Sequence, residues 1–154
     1  MVETKPAEKV YKVPNLTVDA IVTREAETNE HEILLITRGK DPFKGHYAFP
    51  GGFVDYNEDP VNAVLRELKE ECLVEGARPE LICVNGDPKR DPRKHIVTIA
   101  YHCEVEPNAK VQAGDDAATA KWYNLRQVCT EFQMAFDHKD ILQQFLTKKL
   151  PQYL

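Results

Sequence analysis

Asp59-Pro60 marks a helix start with a physical mechanism. An Asp side chain can accept from the free N–H groups of a first turn, and proline is tolerated at the first helical position because its missing N–H would go unpaired there. From this point Val61, Val64, Leu65, Leu68 and Cys72 recur at spacings of three and four, which stacks them on one side of a helix. Glu67, Glu70 and Glu71 fall on another side, facing solvent, within an arc of about 100° at roughly 3.6 residues per turn. A helix with one apolar stripe needs a layer to cover it, and the neighbouring segments supply strands.

"LTVDAIVTRE" and "HEILLITRG" alternate or run apolar with β-branched residues, and "TNE" between them is turn-like, which predicts an antiparallel pair. "KDPFKGHYAFPGGFVD" is dense in Pro and Gly and reads as a loop around one short strand near "HYAF". Beyond the helix, "ELICVNG", "HIVTIAYHCEV" and "AKWYNL" read as strands, and "HKDILQQFLTKKL" as a closing amphipathic helix. Residues 1–14 carry three lysines and two prolines and read as a tail or arm, leaving 15–154 as a single domain.

The net charge of −5 argues against a general nucleic-acid binder, and a polyanionic ligand would need local positive charge. Cys72, Cys83, Cys103 and Cys129 have no C-x-x-C spacing, so neither a zinc site nor a disulfide framework is indicated, and a reducing cytosol or nucleus fits. No apolar stretch approaches the ~18 residues of a membrane span or forms a signal peptide. Trp122 reads as core, and His46, His95 and His102 as structural or surface residues, since they lack metal spacing.

Charge is concentrated in "RELKEE", residues 66–71. A solvated helix face is one reading. Like charges three and four apart cost a few tenths of a kcal/mol per pair, with only Arg66 and Lys69 nearby to relieve them. A hard divalent cation would offset that repulsion, since Mg²⁺ prefers carboxylate oxygens and keeps waters that can be activated.

Gly52, five residues, Glu58, seven residues, then "RELKEE" resembles the signature of the Nudix hydrolases, which cleave a nucleoside diphosphate linked to another group. The resemblance covers about residues 16 to 130 and implies an α/β (α+β) Nudix fold, a mixed β-sheet sandwiched between α-helices. It implies Glu67, Glu70 and Glu71 as metal ligands, with the carbonyl of Gly51 or Gly52 adding one more, and Glu58 and Arg66 as braces between loop and helix. The implied cofactor is Mg²⁺, with Mn²⁺ as a substitute. One departure is Leu73, where the family usually has glycine. The expectation is that the helix runs on past it and ends near Gly76.

"RGKDPFKGHYAFPGGFVD", "NGDPKRDPRKHIVTIAYHCEV" and "AGDDAATAKWYNL" resemble the ADP-ribose pyrophosphatase branch, with Pro88 and Pro92 bracketing that branch's proline position. This implies hydrolysis of ADP-ribose to AMP and ribose 5-phosphate. The small-molecule nucleotide is the expected partner, nucleic acid and membrane are not, and a homodimer is compatible. Arg90 and Arg93 become phosphate forks on a loop at the mouth of the metal site. Arg38 either contacts substrate or ends a strand, and Phe43 and Tyr47 either stack on adenine or pack in the core. The general base is Glu67 or an acid of the "GDD" loop, Asp115 or Asp116. Dinucleoside polyphosphates or damaged nucleoside triphosphates would be served by the same box. A non-catalytic ADP-ribose sensor would be expected to lose box glutamates or carry a DNA-binding domain.

Overall fold

The computed structural model describes residues 9–114 and 117–154. Its elements are β1 (Asn15–Ile21), β2 (Thr23–Glu25), β3 (His31–Arg38), β4 (Tyr47–Ala48), β5 (Gly51–Phe53), α1 (Pro60–Cys72), β6 (Gly76–Asn85), β7 (Ile96–Val105), β8 (Ala117–Asn124), α2 (Leu125–Glu131) and α3 (His138–Lys149). A 3-10 turn at Pro151–Tyr153 follows.

The mixed sheet runs β5-β1-β7-β6, with β1 and β7 parallel and the outer pairings antiparallel. A second sheet, all antiparallel, contains β2, β3, β4 and β8, with β3 pairing all of the others. The antiparallel pair expected from "LTVDAIVTRE" and "HEILLITRG" therefore exists only in part. The first segment breaks at Val22, so β2 pairs β3 while β1 joins the other sheet. Val22 joins the two at the break, its carbonyl accepting from Leu34 N at 2.9 Å.

Both faces of the strands are covered, which is why "HEILLIT" is nearly continuous in apolar residues. Leu34 and Ile36 pack with Val18, Ala20, Val64, Leu68 and Cys72 on the α1 side. Ile33 and Leu35, one residue out of phase, pack with Phe49, Ile141, Leu142 and Phe145 on the α3 side. Among the described residues no helix is long and apolar enough to cross a membrane. The four cysteines are free.

Helix α1 starts as its sequence requires, with the Asp59 side chain accepting from Val61 N at 2.9 Å and Pro60 first in the helix. Val61, assigned to the apolar stripe, is 38% exposed, and Ala63 is buried in its place. The helix also ends earlier than expected. Leu73 itself adopts the left-handed conformation (φ 56°, ψ 33°) and its N–H returns to Lys69 O. The remaining carbonyls are met from outside the helix, where Gln112 N donates to Cys72 O (3.1 Å) and Gly114 N to Glu71 O (2.9 Å). Gly76 opens β6 instead, because a Cβ there would meet Leu68 Cδ2 at 2.7 Å and Leu65 Cδ2 at 3.0 Å. Leu73 is 53% exposed, so little packing opposes its replacement. Leu73→Gly is expected to raise stability by about 1 kcal/mol, the left-handed penalty less the added chain entropy of the unfolded state, read as a higher melting temperature.

Candidate active site

The box residues meet where β5 passes under α1. Ala20 N donates to Pro50 O at 2.7 Å and Val54 N to Leu16 O at 3.0 Å, so alternate residues of this stretch spend their backbone groups on β1. Gly51, between them, faces its N–H away from β1, and it donates to Glu71 Oε2 at 2.9 Å. In an extended strand the carbonyl of a residue faces the same edge as its N–H, so of the two glycines Gly51 is the one whose carbonyl is turned toward the carboxylates. Gly52 serves by its bareness, since a Cβ there would lie 2.6 Å from the Glu67 carboxyl carbon.

Arg66 is the hub of the loop–helix junction. Its Nε and Nη2 donate to the two oxygens of Glu58 at 2.7 and 2.9 Å, and Nη2 also reaches Phe53 O at 3.0 Å. Its Nη1 bridges Glu67 Oε1 (2.9 Å) and Glu70 Oε2 (3.1 Å). The Arg66 hydrogen bonds, with one from Asp55 N, hold the Glu58 carboxyl down at about 2, and the bonds to Glu58 and Glu67 raise Arg66 above the ordinary guanidinium value.

The three carboxylates are not equivalent. Glu70 is 43% exposed, as a solvent-facing residue should be, but the Glu67 side chain is only 12% exposed. Burial raises Glu67, and burial together with the like charges of Glu67 and Asp19 pushes Glu71 up to about 8. The expectation that all three face solvent is therefore corrected for Glu67 and Glu71, which the β5 segment covers. Among the described residues no three His, Cys, Asp or Glu side chains form a ready ligand cage. Arg66 stands between Glu67 and Glu70 as their shared counter-charge, and Glu71 is turned onto Gly51.

The three glutamates and Gly51 line a cavity of about 440 Å³ together with Asp19, Arg38, Phe53, Arg90, Asp91, Arg93, Phe136 and His138. Loop 86–95 brings in Arg90 and Arg93, as the sequence implied, but with different commitments. Arg90 is buried, 4% exposed, and donates through Nε and Nη2 to Asp137 at 2.9 and 2.6 Å, so its fork is spent inside the protein. Arg93 is 40% exposed and braced by Asp91 at 2.8 and 3.0 Å. Arg38 donates through Nε to Pro42 O at 2.7 Å, and burial and the nearby Arg93 pull it below the usual guanidinium value.

Phe43 and Tyr47 do not line this cavity. Phe43 packs edge-on against Phe136, with centroids 4.9 Å apart. Tyr47 stacks on Phe132 at 4.2 Å and meets Tyr123 at 5.3 Å, so its ring belongs to the core. Among the described residues the aromatic rings in the cavity wall are Phe49, Phe53, Phe136 and the imidazole of His138. Asp115 and Asp116 lie outside the described residues.

Asp19 and His138 escaped the sequence reading. His138 Nδ1 accepts from Phe49 N at 3.1 Å, which leaves its proton on Nε2, 3.4 Å from Asp19 Oδ1. Burial lowers the His138 pKa, so the ring stays neutral. Asp19 Oδ2 accepts from Thr98 Oγ1 at 2.5 Å. Asp19 sits inside the "LTVDAIV" strand pattern with no partner nearby in sequence, and the only signal was a charged residue at a core-strand position.

The NUDIX domain model matches residues 13–145. The chain is 36% identical to an ADP-ribose pyrophosphatase of Methanocaldococcus jannaschii over 92% of its own length and 78% of that protein's. It is 34% identical to the ADPR responsive transcriptional repressor NtrR of Acinetobacter baylyi, over 87% of its length but only 54% of the repressor's. Among solved structures, the NUDIX domain of Shewanella oneidensis NrtR, crystallised with ADP ribose, superposes with a TM-score of 0.82 at 30% identity, covering 90% of each chain. A MutT/nudix family protein of Enterococcus faecalis superposes with a TM-score of 0.86 at 30% identity, covering 95% of this chain and 66% of that one. The box geometry around Arg66 and the match over most of its length make this chain a member of the NUDIX domain family, a Nudix pyrophosphohydrolase.

Proposed function

We propose that this protein hydrolyses the pyrophosphate bond of ADP-ribose, releasing AMP and ribose 5-phosphate, with a divalent metal ion held by Glu67, Glu70 and Glu71. The observation that carries the reading is a single cavity whose wall combines these carboxylates with the guanidinium groups of Arg38 and Arg93. Its volume of about 440 Å³ is in the range of nucleotide-sized sites. The likeness to an ADP-ribose pyrophosphatase and to a domain crystallised with ADP ribose supports the choice of substrate.

The donor set fits a hard cation: three carboxylates on successive turns of one helix, with the Gly51 carbonyl turned toward them. Glu71, pushed up to about 8, holds a proton at neutral pH that a cation would displace. A bound Mg²⁺ or Mn²⁺ would neutralise diphosphate charge and acidify the attacking water. Arg66 and Glu58 hold the Gly51–Phe53 strand against α1, so that the ligands stand on a rigid element. Arg93 and Arg38 bind the phosphate oxygens. Water adds to one phosphorus, the bridging P–O bond breaks, and the bridging oxygen leaves on the other phosphate. Glu67, or Asp115 or Asp116, takes the water's proton.

Similarity to the repressor favours one second reading, an ADP-ribose-binding regulator. Incubation with Mg²⁺ or Mn²⁺ and a panel of ADP-ribose, a diadenosine polyphosphate, NADH and a nucleoside triphosphate separates the readings. The expected result is AMP and ribose 5-phosphate from ADP-ribose, at the highest kcat/KM of the panel. A better diadenosine or triphosphate substrate would replace ADP-ribose, and binding of ADP-ribose without cleavage would establish the regulator.

A further inference from the structure

Three consecutive residues just before and at the start of α3 each reach the cavity wall through a different contact. The Phe136 ring has the Arg38 guanidinium carbon over it at 4.8 Å and that of Arg93 at 5.6 Å from its centroid. Asp137 receives Arg90, and Asn85 Nδ2 donates to it at 2.9 Å. His138 receives Phe49 N and faces Asp19. This explains why Asp137, at the helix N-cap position, makes no capping hydrogen bond: its carboxylate is committed to loop 86–95.

Phe136 has φ 51°, a left-handed conformation that is unfavourable for a residue with a bulky side chain. That backbone persists because its surroundings over-determine it: Phe43 lies edge-on at 4.9 Å, His138 at 5.6 Å, and the next residue is tied to Arg90. The result is one ring placed under two cations that repel each other and that come from distant parts of the chain, the end of β3 and loop 86–95.

We propose that Phe136 is a positioning residue for substrate specificity: its ring holds Arg38 and Arg93 together as a two-armed clamp for the diphosphate of the substrate. The proposal rests on the ADP-ribose reading above and deepens it. Aromatic faces attract guanidinium groups through the ring quadrupole, and the attraction grows in a partly desolvated cavity. Keeping both cations over one ring organises the clamp before ligand arrives, so that less ordering has to be done on binding. Phe136 acts through the arginines, with no bond of its own to the phosphates.

The test measures ADP-ribose binding by calorimetry in EDTA, where no turnover occurs, together with KM and kcat in Mg²⁺. Phe136→Leu keeps an apolar side chain but removes the quadrupole, and Phe136→Tyr restores a ring. Phe136→Leu is expected to weaken binding and raise KM about tenfold, the order of two lost cation–π contacts, with kcat within about threefold and the melting temperature near wild type. Phe136→Tyr is expected to recover wild-type binding. In an Arg38→Ala/Arg93→Ala background, Phe136→Leu is expected to have almost no further effect.

Equal weakening in that background would mean that Phe136 touches the ligand itself, and unchanged binding in the wild-type background would mean that the ring does not organise the clamp. Either outcome overturns the proposal. If the wild-type protein neither binds ADP-ribose in EDTA nor turns it over in Mg²⁺, the substrate reading is what falls.

Discussion

Glu67→Gln, Glu70→Gln and Glu71→Gln are each expected to lower Mg²⁺-dependent turnover by about 10²–10⁴-fold, the range for losing a group that positions or activates an attacking water. Near-normal turnover of Glu70→Gln would remove the metal assignment. The three variants should differ in stability. Glu70 is 43% exposed and, among the described residues, its carboxylate is bound only at one Arg66 nitrogen, so its loss leaves the fold alone.

Glu71 is the one whose carboxyl is pushed up to about 8, and its proton has consequences for pH. Its carboxyl is raised from about 4.5 in the unfolded chain to about 8 in the fold, so between those values the folded protein binds more protons than the unfolded one. Stability that is fully present below about pH 4.5 is therefore lost as pH rises through about 8, by a few kcal/mol in all if no cation replaces the proton. Thermal melts in EDTA across this window should show the decline, Glu71→Gln should flatten it, and Mg²⁺ should diminish it. A wild-type melting temperature independent of pH in EDTA would refute the assignment.

Arg90→Ala is expected to destabilise the protein by about 3–5 kcal/mol, the range for breaking a buried ion pair from one side. The Asp137 carboxylate, 15% exposed with Arg90 in place, would keep Asn85 as its one remaining side-chain hydrogen-bond partner among the described residues. Urea denaturation measures the loss, and Arg90→Ala/Asp137→Ala should recover part of it because no charge is then left uncompensated. Kinetics should add a rise in KM, since loop 86–95 also carries Arg93. A loss below about 1 kcal/mol would show that the loop is held by other contacts.

Much of the site was legible because it is local. Glu67, Glu70 and Glu71 lie within five residues on one helix, and Asp59-Pro60 sets where that helix begins, so their common face follows from helical geometry. Arg66 and Glu58 came from the spacing of the box, and the structure joins them by two hydrogen bonds. The C-terminal end of α1 was misjudged because a left-handed leucine is locally unfavourable. It is stabilised by Gln112 and Gly114, about forty residues away, which no local pattern contains. Tyr47 and Phe43 could not be told from stacking residues until Phe132 and Phe136 were seen against them. The short helix α2 was missed because its seven residues bury only Leu125 and Val128, too few to form a periodic stripe.

The chain's sequence by itself determined the acid half of this protein: a capped helix, three carboxylates on one arc, and an arginine and glutamate at the spacing that braces them. The cap and the arc are set by capping chemistry and 3.6-residue periodicity, which act over a few residues, and the Glu58–Arg66 brace was implied by the resemblance to the Nudix signature. Arg38 and Arg93 were candidates from the resemblance, but their commitments, and the places of Phe136, His138 and Asp19, were decided by the tertiary structure. Arg38, Arg93, Phe136, His138 and Asp19 come from β3, loop 86–95, the entry to α3 and β1, and they share one cavity only because both sheets and α3 close around it. Whether a paired arginine stays exposed to the cavity or becomes a buried strut depends on which carboxylate the fold sets against it. Asp91 leaves Arg93 40% exposed, and Asp137 leaves Arg90 at 4%.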